Sequence, residues 1–159
     1  FEIERLQCLD TGINGFVAGA LRNGLATPLP AVPTPEAIAA AEARLVAAMT
    51  PEQRQQWERS GYFTVVGSTS GARYRILGGS SNETPQQNIR ALVGEDERSV
   101  ARLCVAIGGE PVPLADHLLA QKLWLETDER GLLAQANTDP PGWRPDGLSG
   151  SGGSASRRR

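Results

Sequence analysis

Apolar residues recur at helical spacing from Thr34 onward, as Ile38, Ala41, Leu45, Ala48 and Met49, and predict a helix to about Met49. Thr34 suits the N-cap, Pro35 the first helical position and Glu36 the positive helix end. Thr50, Pro51 and Gln53 repeat the start signal as a capping box, launching a second helix that carries Trp57 and stops at Gly61. Two helices joined this closely predict an αα-hairpin. Beyond Gly61 the period changes to short β-rich runs over 62–66, 73–77, 88–93 and 99–105, separated by glycine-containing turns. Four antiparallel strands are the economical arrangement. Side chains alternate along a strand, so Tyr74 and Ile76 point to one face and Arg73 and Arg75 to the other. Leu114, Leu118, Leu119, Leu123 and Leu125, then Leu132, Leu133 and Ala136, predict a closing helix from near Pro113 to Asn137 over the apolar face. Thr127, Asp128 and Glu129 repeat an N-cap signal and Gly131 weakens the helix, so a kink there is one of two possible courses.

The expected fold class is α+β: an N-terminal αα-hairpin, a four-stranded antiparallel sheet and a closing C-terminal helix, together spanning 34–137. Residues 1–33 form an N-terminal extension. In it Ile13, Phe16, Val17, Ala20 and Leu21 make one face of a short amphipathic segment, and Pro28, Pro30, Pro33 and Pro35 mark a linker that disfavours helix. Residues 138–159 read as a flexible Pro/Gly/Ser-rich tail with a basic end, because they hold too few apolar groups to repay their ordering entropy.

Composition narrows the function classes. The chain has 159 residues, 40% hydrophobic and 21% charged, which fits one globular core. A formal net charge of -2 removes the field a basic nucleic-acid-binding protein would present, so any such binding would need a local patch. No apolar run reaches the ~20 residues of a membrane-spanning helix, and the start carries no secretory signal pattern. A cytoplasmic location, or one within a virion or other large assembly, is expected. The first residue is Phe1 rather than Met, which reads as processing or truncation. Cys8 and Cys104 lie far apart without a CxxC partner or a histidine at metal spacing, so neither a disulfide framework nor a metal site is expected.

Four constellations carry candidate chemistry. Arg73 and Arg75, with Arg90 and Arg102 on neighbouring strands, are expected to share a sheet surface able to hold phosphates or a carboxylate-rich partner, the alternative being a solvated outer face balanced by acidic loop residues. Nucleic-acid-binding sheets add exposed aromatics for stacking, whereas Tyr74 points inward. Cys104 with His117, the single histidine, and Asp116 would make a thiol nucleophile and base, against the plainer reading of a buried inert thiol. Glu126, Asp128 and Glu129 offer paired carboxylates for acid–base work or a cation, although charge complementarity to a helix end or to Arg130 accounts for them more simply. The glycine groups of 67–71 and 78–79 lack the Lys-Ser/Thr or following helix of a phosphate loop and read as turns.

Trp57, Gly61-Tyr62-Phe63, Tyr74-Arg75-Ile76, Asn88-Ile89, Leu103-Cys104, Pro113, Asp116 and Leu119-Ala120-Gln121-Lys122-Leu123-Trp124-Leu125-Glu126 together resemble an uncharacterised family of small bacterial and phage-encoded proteins. The resemblance covers about residues 50–137; the stretch 78–87 and Gly131 depart from the pattern. It implies no established activity, no cofactor and no catalytic residue. The expected function is a non-catalytic structural or interaction protein, a phage-related accessory component docked in a larger assembly through its terminal extensions. The alternatives are a nucleic-acid-binding module using the arginine face and a small thiol hydrolase.

Overall fold

The structure is a computed structural model that describes residues 32–78, 87–105, 107 and 112–148. Helix α1 spans Pro35–Ala47 and α2 spans Pro51–Ser60. Strands β1 (Tyr62–Val66), β2 (Arg73–Leu77), β3 (Ile89–Val93) and β4 (Arg98–Cys104) follow, then helix α3 (Leu114–Gln135) and a short strand β5 (Asn137–Asp139). The class is α+β.

Local chemistry sets the helix ends. The Thr34 hydroxyl accepts from the Ala37 N–H at 3.2 Å and starts α1. At α2 the box closes in both directions, because Gln53 N–H donates to the Thr50 hydroxyl at 3.3 Å and Thr50 N–H donates to Gln53 Oε1 at 3.1 Å. Gly61 ends α2 in the left-handed region at φ 67°. The three residues between the helices turn the chain sharply, but the expected αα-hairpin is only loosely formed: α1 packs chiefly on α3, whereas α2 packs on β1. Apolar surface decides this. Ala41, Leu45 and Met49 are buried, while Trp57 meets Phe63 edge-on at 5.9 Å. Ile38, expected on the apolar stripe, is 42% exposed.

The sheet is antiparallel in the order β1-β2-β3-β4-β5, with an irregularity between Ala91 and Leu92 that shifts the register against β4. It has five strands where four were expected. The fifth comes from the Asn137–Asp139 stretch, which pairs with Arg102, Leu103 and Cys104. The described chain continues past it to Leu148, and Trp143 meets Tyr74 edge-on at 6.5 Å. Composition undervalued this segment because one buried aromatic contact and an open strand edge can order a polar stretch that has no periodicity of its own.

Phe63, Val65, Tyr74, Ile76, Ile89, Ala91, Ala101 and Leu103 line the inner face of the sheet, covered by Leu118, Leu125, Leu132 and Leu133 of α3, with α1 packed outside that helix. Edge strand β1 is sealed by α2: Thr64 N–H donates to Gln56 Oε1 at 2.8 Å, and Gln53 Nε2 donates to the Thr64 carbonyl at 2.9 Å. Gln53 therefore both caps its helix and ties it to the sheet. The leucine stripe of α3 is less regular than its sequence suggests. Leu123 is 47% exposed, while Gln121 and Lys122 face inward, where Gln121 donates to Asn88 Oδ1 at 2.8 Å and Lys122 to Glu126 Oε2 at 2.5 Å.

The double role of Gln53 makes Thr50→Ala and Gln53→Ala unequal. Thr50→Ala should cost about 1 kcal/mol, the ordinary value of a lost N-cap. Gln53→Ala should cost about 2 kcal/mol or more, since it also leaves the Thr64 carbonyl without its donor. Urea unfolding of the two variants, at unchanged m-value, measures the difference.

Candidate functional site

Glu129 lies with its carboxylate in the interior at 0% exposure, on a helix that packs Leu125, Leu132 and Leu133 into the core. An isolated buried carboxylate is strongly unfavourable, so its partners define the site. Oε2 accepts from the backbone N–H of Thr69 at 2.9 Å and of Ser70 at 2.7 Å. Oε1 accepts from the Ser70 hydroxyl at 2.5 Å and the Tyr74 hydroxyl at 2.7 Å. The turn between β1 and β2 thus closes round the carboxylate.

The chain makes room for this in two places. At Gly67 any Cβ would overlap the Glu129 carboxyl group, so the absence of a side chain lets the turn approach. Helix α3 also breaks its regular path at Asp128 (φ -146°, ψ 66°), whose Oδ1 accepts from Gly131 N–H at 2.9 Å and caps the final stretch. Sequence signals pointed to Thr127 for that cap; its hydroxyl instead donates back to the Leu123 carbonyl at 2.6 Å. The break frees the Glu129 N–H to donate to Ser68 Oγ at 3.1 Å, and Ser68 N–H donates to the Leu125 carbonyl at 3.0 Å. Turn and helix are joined from both sides.

Burial alone would push the Glu129 carboxyl above its usual range, but the Ser70 and Tyr74 hydroxyls and the N–H groups of Ser70 and Thr69 outweigh it and hold the carboxyl below that range. Burial pushes the Tyr74 phenol strongly upward, and the Glu129 hydrogen bond and negative charge add to this, against smaller opposing effects of Ser70 and Arg144. An ionised carboxylate saturated with donors, facing a phenol that does not release its proton, is a clasp and a poor acid–base pair.

The other expected residues sort clearly. Glu126 pairs with Lys122, and Asp128 is the helix cap, so the three carboxylates of this region serve three separate contacts. Asp116 is engaged by Arg44 through two nitrogens, at 2.8 to 3.1 Å. His117 is buried at 5% exposure on α3. Cys104 is disulfide-bonded, which corrects the expectation that the chain holds no disulfide and removes the free thiol a Cys104–His117–Asp116 hydrolase would need. The other cysteine of the sequence, Cys8, lies outside the described residues, as do Ile13, Phe16, Val17, Ala20 and Leu21. Among the described residues no cluster of His, Cys, Asp or Glu is arranged to hold a metal ion, and no helix is long and apolar enough to cross a membrane.

The four arginines of the outer sheet face do come together. Pairing sets Arg75 opposite Arg90, Arg90 opposite Arg102, and Arg102 opposite Asp139, so three guanidinium-bearing residues form one row across β2, β3 and β4. Arg73 stands two residues from Arg75 on the same face. Glu97, in the turn before β4 at φ 51°, accepts from Arg73 at 3.2 Å and from Arg75 at 2.5 Å. Arg75 also lies over the Tyr62 ring at 4.4 Å, and Arg90 donates to the Gln87 carbonyl at 2.8 Å. Arg102 is exposed at the far end. Acidic balance from a loop, one of the two readings of this face, therefore applies to its Arg73–Arg75 end. Comparison with protein-family models, curated proteins and solved structures finds no match.

Glu129→Gln should destabilise the protein by about 2 to 4 kcal/mol, and Tyr74→Phe, which removes one donor of four, by about 1 to 2 kcal/mol. Because the Glu129 carboxyl titrates lower in the folded than in the unfolded chain, its contribution is complete above the ordinary carboxyl value of 4.5 and is lost as pH falls below it. Denaturation from pH 7 to pH 3 should show wild-type stability converging on that of Glu129→Gln only in the acid part of the range.

Proposed function

We propose that this chain is a non-catalytic interaction protein, an accessory component held in a larger assembly. The observation that carries the reading is the employment of its buried ionisable groups. Glu129 is consumed by the β1–β2 turn and Lys122 by Glu126, so the chemistry inside the domain is spent on holding elements together. What the domain offers outward is charge, in the arginine row across β2, β3 and β4. Guanidinium side chains directly opposite one another on a sheet repel, and a fold that keeps three in a row at that cost is suited to meeting negative charge on a partner.

The resemblance to small bacterial and phage-encoded proteins supports a place in a phage-related assembly, and the Cys104 disulfide favours an oxidising location such as a virion exterior over the reducing cytosol. Docking through the N-terminal amphipathic segment fits the same reading. A nucleic-acid partner is the second reading, favoured by the arginines. It is disfavoured by the sheet's aromatics, since Tyr74 is buried in the core and the Tyr62 ring is covered by Arg75.

Size-exclusion chromatography of native extract, followed by mass spectrometry, tests the proposal. The chain should elute with a larger assembly at a fixed ratio to one partner. Elution as a free monomer under gentle, low-salt conditions contradicts it.

A further inference from the structure

Cys104 is disulfide-bonded, and its place in β4 fixes the side from which its partner arrives. Ala101, Leu103 and Val105 are buried in the core, so the alternation of a strand sends Arg102 and Cys104 to the opposite, outer face. The β4–β5 pairing agrees. Cys104 lies opposite Asn137 and Arg102 opposite Asp139, both exposed, whereas Leu103 lies opposite the less exposed Thr138. The group that carries the second sulfur therefore lies over the arginine-bearing face.

The sequence holds two cysteines, and the second is Cys8. Around it the chain reads Glu2-Ile3-Glu4-Arg5-Leu6-Gln7-Cys8-Leu9-Asp10, with every acid an even number of residues from the cysteine. Residues two apart in an extended chain share a side, so an extended course turns Glu2, Glu4 and Asp10 the same way as the Cys8 sulfur and Arg5 the other way. A helical course, at 3.6 residues per turn, scatters them.

We infer, building on the interaction reading above, that Cys8 bonds Cys104 and that residues 2–10 lie extended over the outer sheet face as the chain's own acidic cover. A disulfide holds its two Cα atoms ~4.4–6.8 Å apart, which sets the register. Arg102 stands two residues before Cys104 and Asp10 two after Cys8, each ~7 Å along the chain. Running antiparallel to β4, the segment brings Asp10 to Arg102; running parallel, it brings Leu6 there instead. Charge selects the antiparallel course. Arg102 is exposed, and a guanidinium has donors enough for Asp139 opposite it and for Asp10. The contact asks nothing of Arg75, which Glu97 and the Tyr62 ring already hold, or of Arg90, which is engaged by Gln87 and by a further interaction. The amphipathic segment follows Cys8 by five residues, so its start, Ile13, is within ~17 Å of Cys104. A partner that docks there meets the arginine face beside it, and its acids compete with Asp10 for Arg102.

Non-reducing peptide mapping of the full chain, purified with thiols blocked, should find Cys8 linked to Cys104 within a monomer. Free thiols, or a link that joins two copies in a dimer, overturn the inference. Equilibration with glutathione then reads how firmly the folded chain holds the two sulfurs together. In that exchange glutathione disulfide takes up the two electrons and two protons that the cysteine thiols release. Asp10→Asn and Arg102→Ala should each lower the constant for forming the bond about two- to five-fold, the effect of one exposed ion pair, and the double variant no further. These losses should vanish at ~1 M salt, where screening acts over about 3 Å. Glu4→Gln, on the other side of Cys8 from Asp10, should leave the constant unchanged. A loss with Glu4→Gln and none with Asp10→Asn overturns the register, and equal constants for all variants overturn the cover. Free thiols in a chain that elutes within a larger assembly remove this inference alone. A chain that elutes free with the bond and the Asp10–Arg102 coupling intact removes the interaction reading alone.

Discussion

A carboxylate stands in the apolar layer between α3 and the sheet, and the surrounding structure is arranged to keep it ionised there. Glu129 would be untenable without donors, and the β1–β2 turn supplies three of them, two from backbone and one from Ser70. Tyr74 supplies the fourth from within the core. Several otherwise separate features follow from this one contact. Gly67 must lack a side chain, α3 must leave its regular path at Asp128, and the turn must be rich in small hydroxyl residues. The C-terminal stretch then rests on the same tyrosine through Trp143. A buried phenol needs an acceptor and a buried carboxylate needs donors, so each resolves the other's desolvation.

The clasp also joins elements that hydrophobic burial alone would position less sharply. Apolar contact between a helix and a sheet face is non-directional, and leucines tolerate small shifts along it. Four hydrogen bonds to one carboxylate, together with Ser68 N–H donating to the Leu125 carbonyl, fix the height of α3 above β1 and β2. The outer face inherits that rigidity. Arg73, Arg75, Arg90 and Arg102 lie on the reverse of the strands the clasp holds, so the spacing of the row comes from the ladder and its orientation from the packed layer beneath.

Much of this was legible in the residues. Alternation in Arg73-Tyr74-Arg75-Ile76 put the tyrosine inside and the arginines outside, because a period of two admits no other arrangement once one face is buried. The box at Thr50 and Gln53 located α2 to within a residue. Other features depend on long-range contacts that leave no local pattern. β5 is too short and polar to announce itself, and it exists because β4 offers an edge. Glu129 sits among Thr127, Asp128 and Arg130, where a solvated charge is the natural expectation; only the inward phenol of Tyr74 and the hydroxyl-rich turn 68–70 hinted that an acceptor was needed inside. Disulfide bonding at Cys104 could not follow from its neighbours, which read as those of an inert thiol in a strand.

The arginine-bearing surface lies on the other side of the strands that this buried contact holds. The central claim is that the Glu129 clasp is part of the cooperative core and does not open as a surface loop. Native-state hydrogen exchange of the Thr69 and Ser70 backbone amides tests it directly. The account predicts that both, although they lie in a hairpin turn, exchange only through global unfolding, at the rate of core amides such as Ile76. Fast exchange of the two amides at the rate of an exposed turn, with Ile76 still protected, would contradict it.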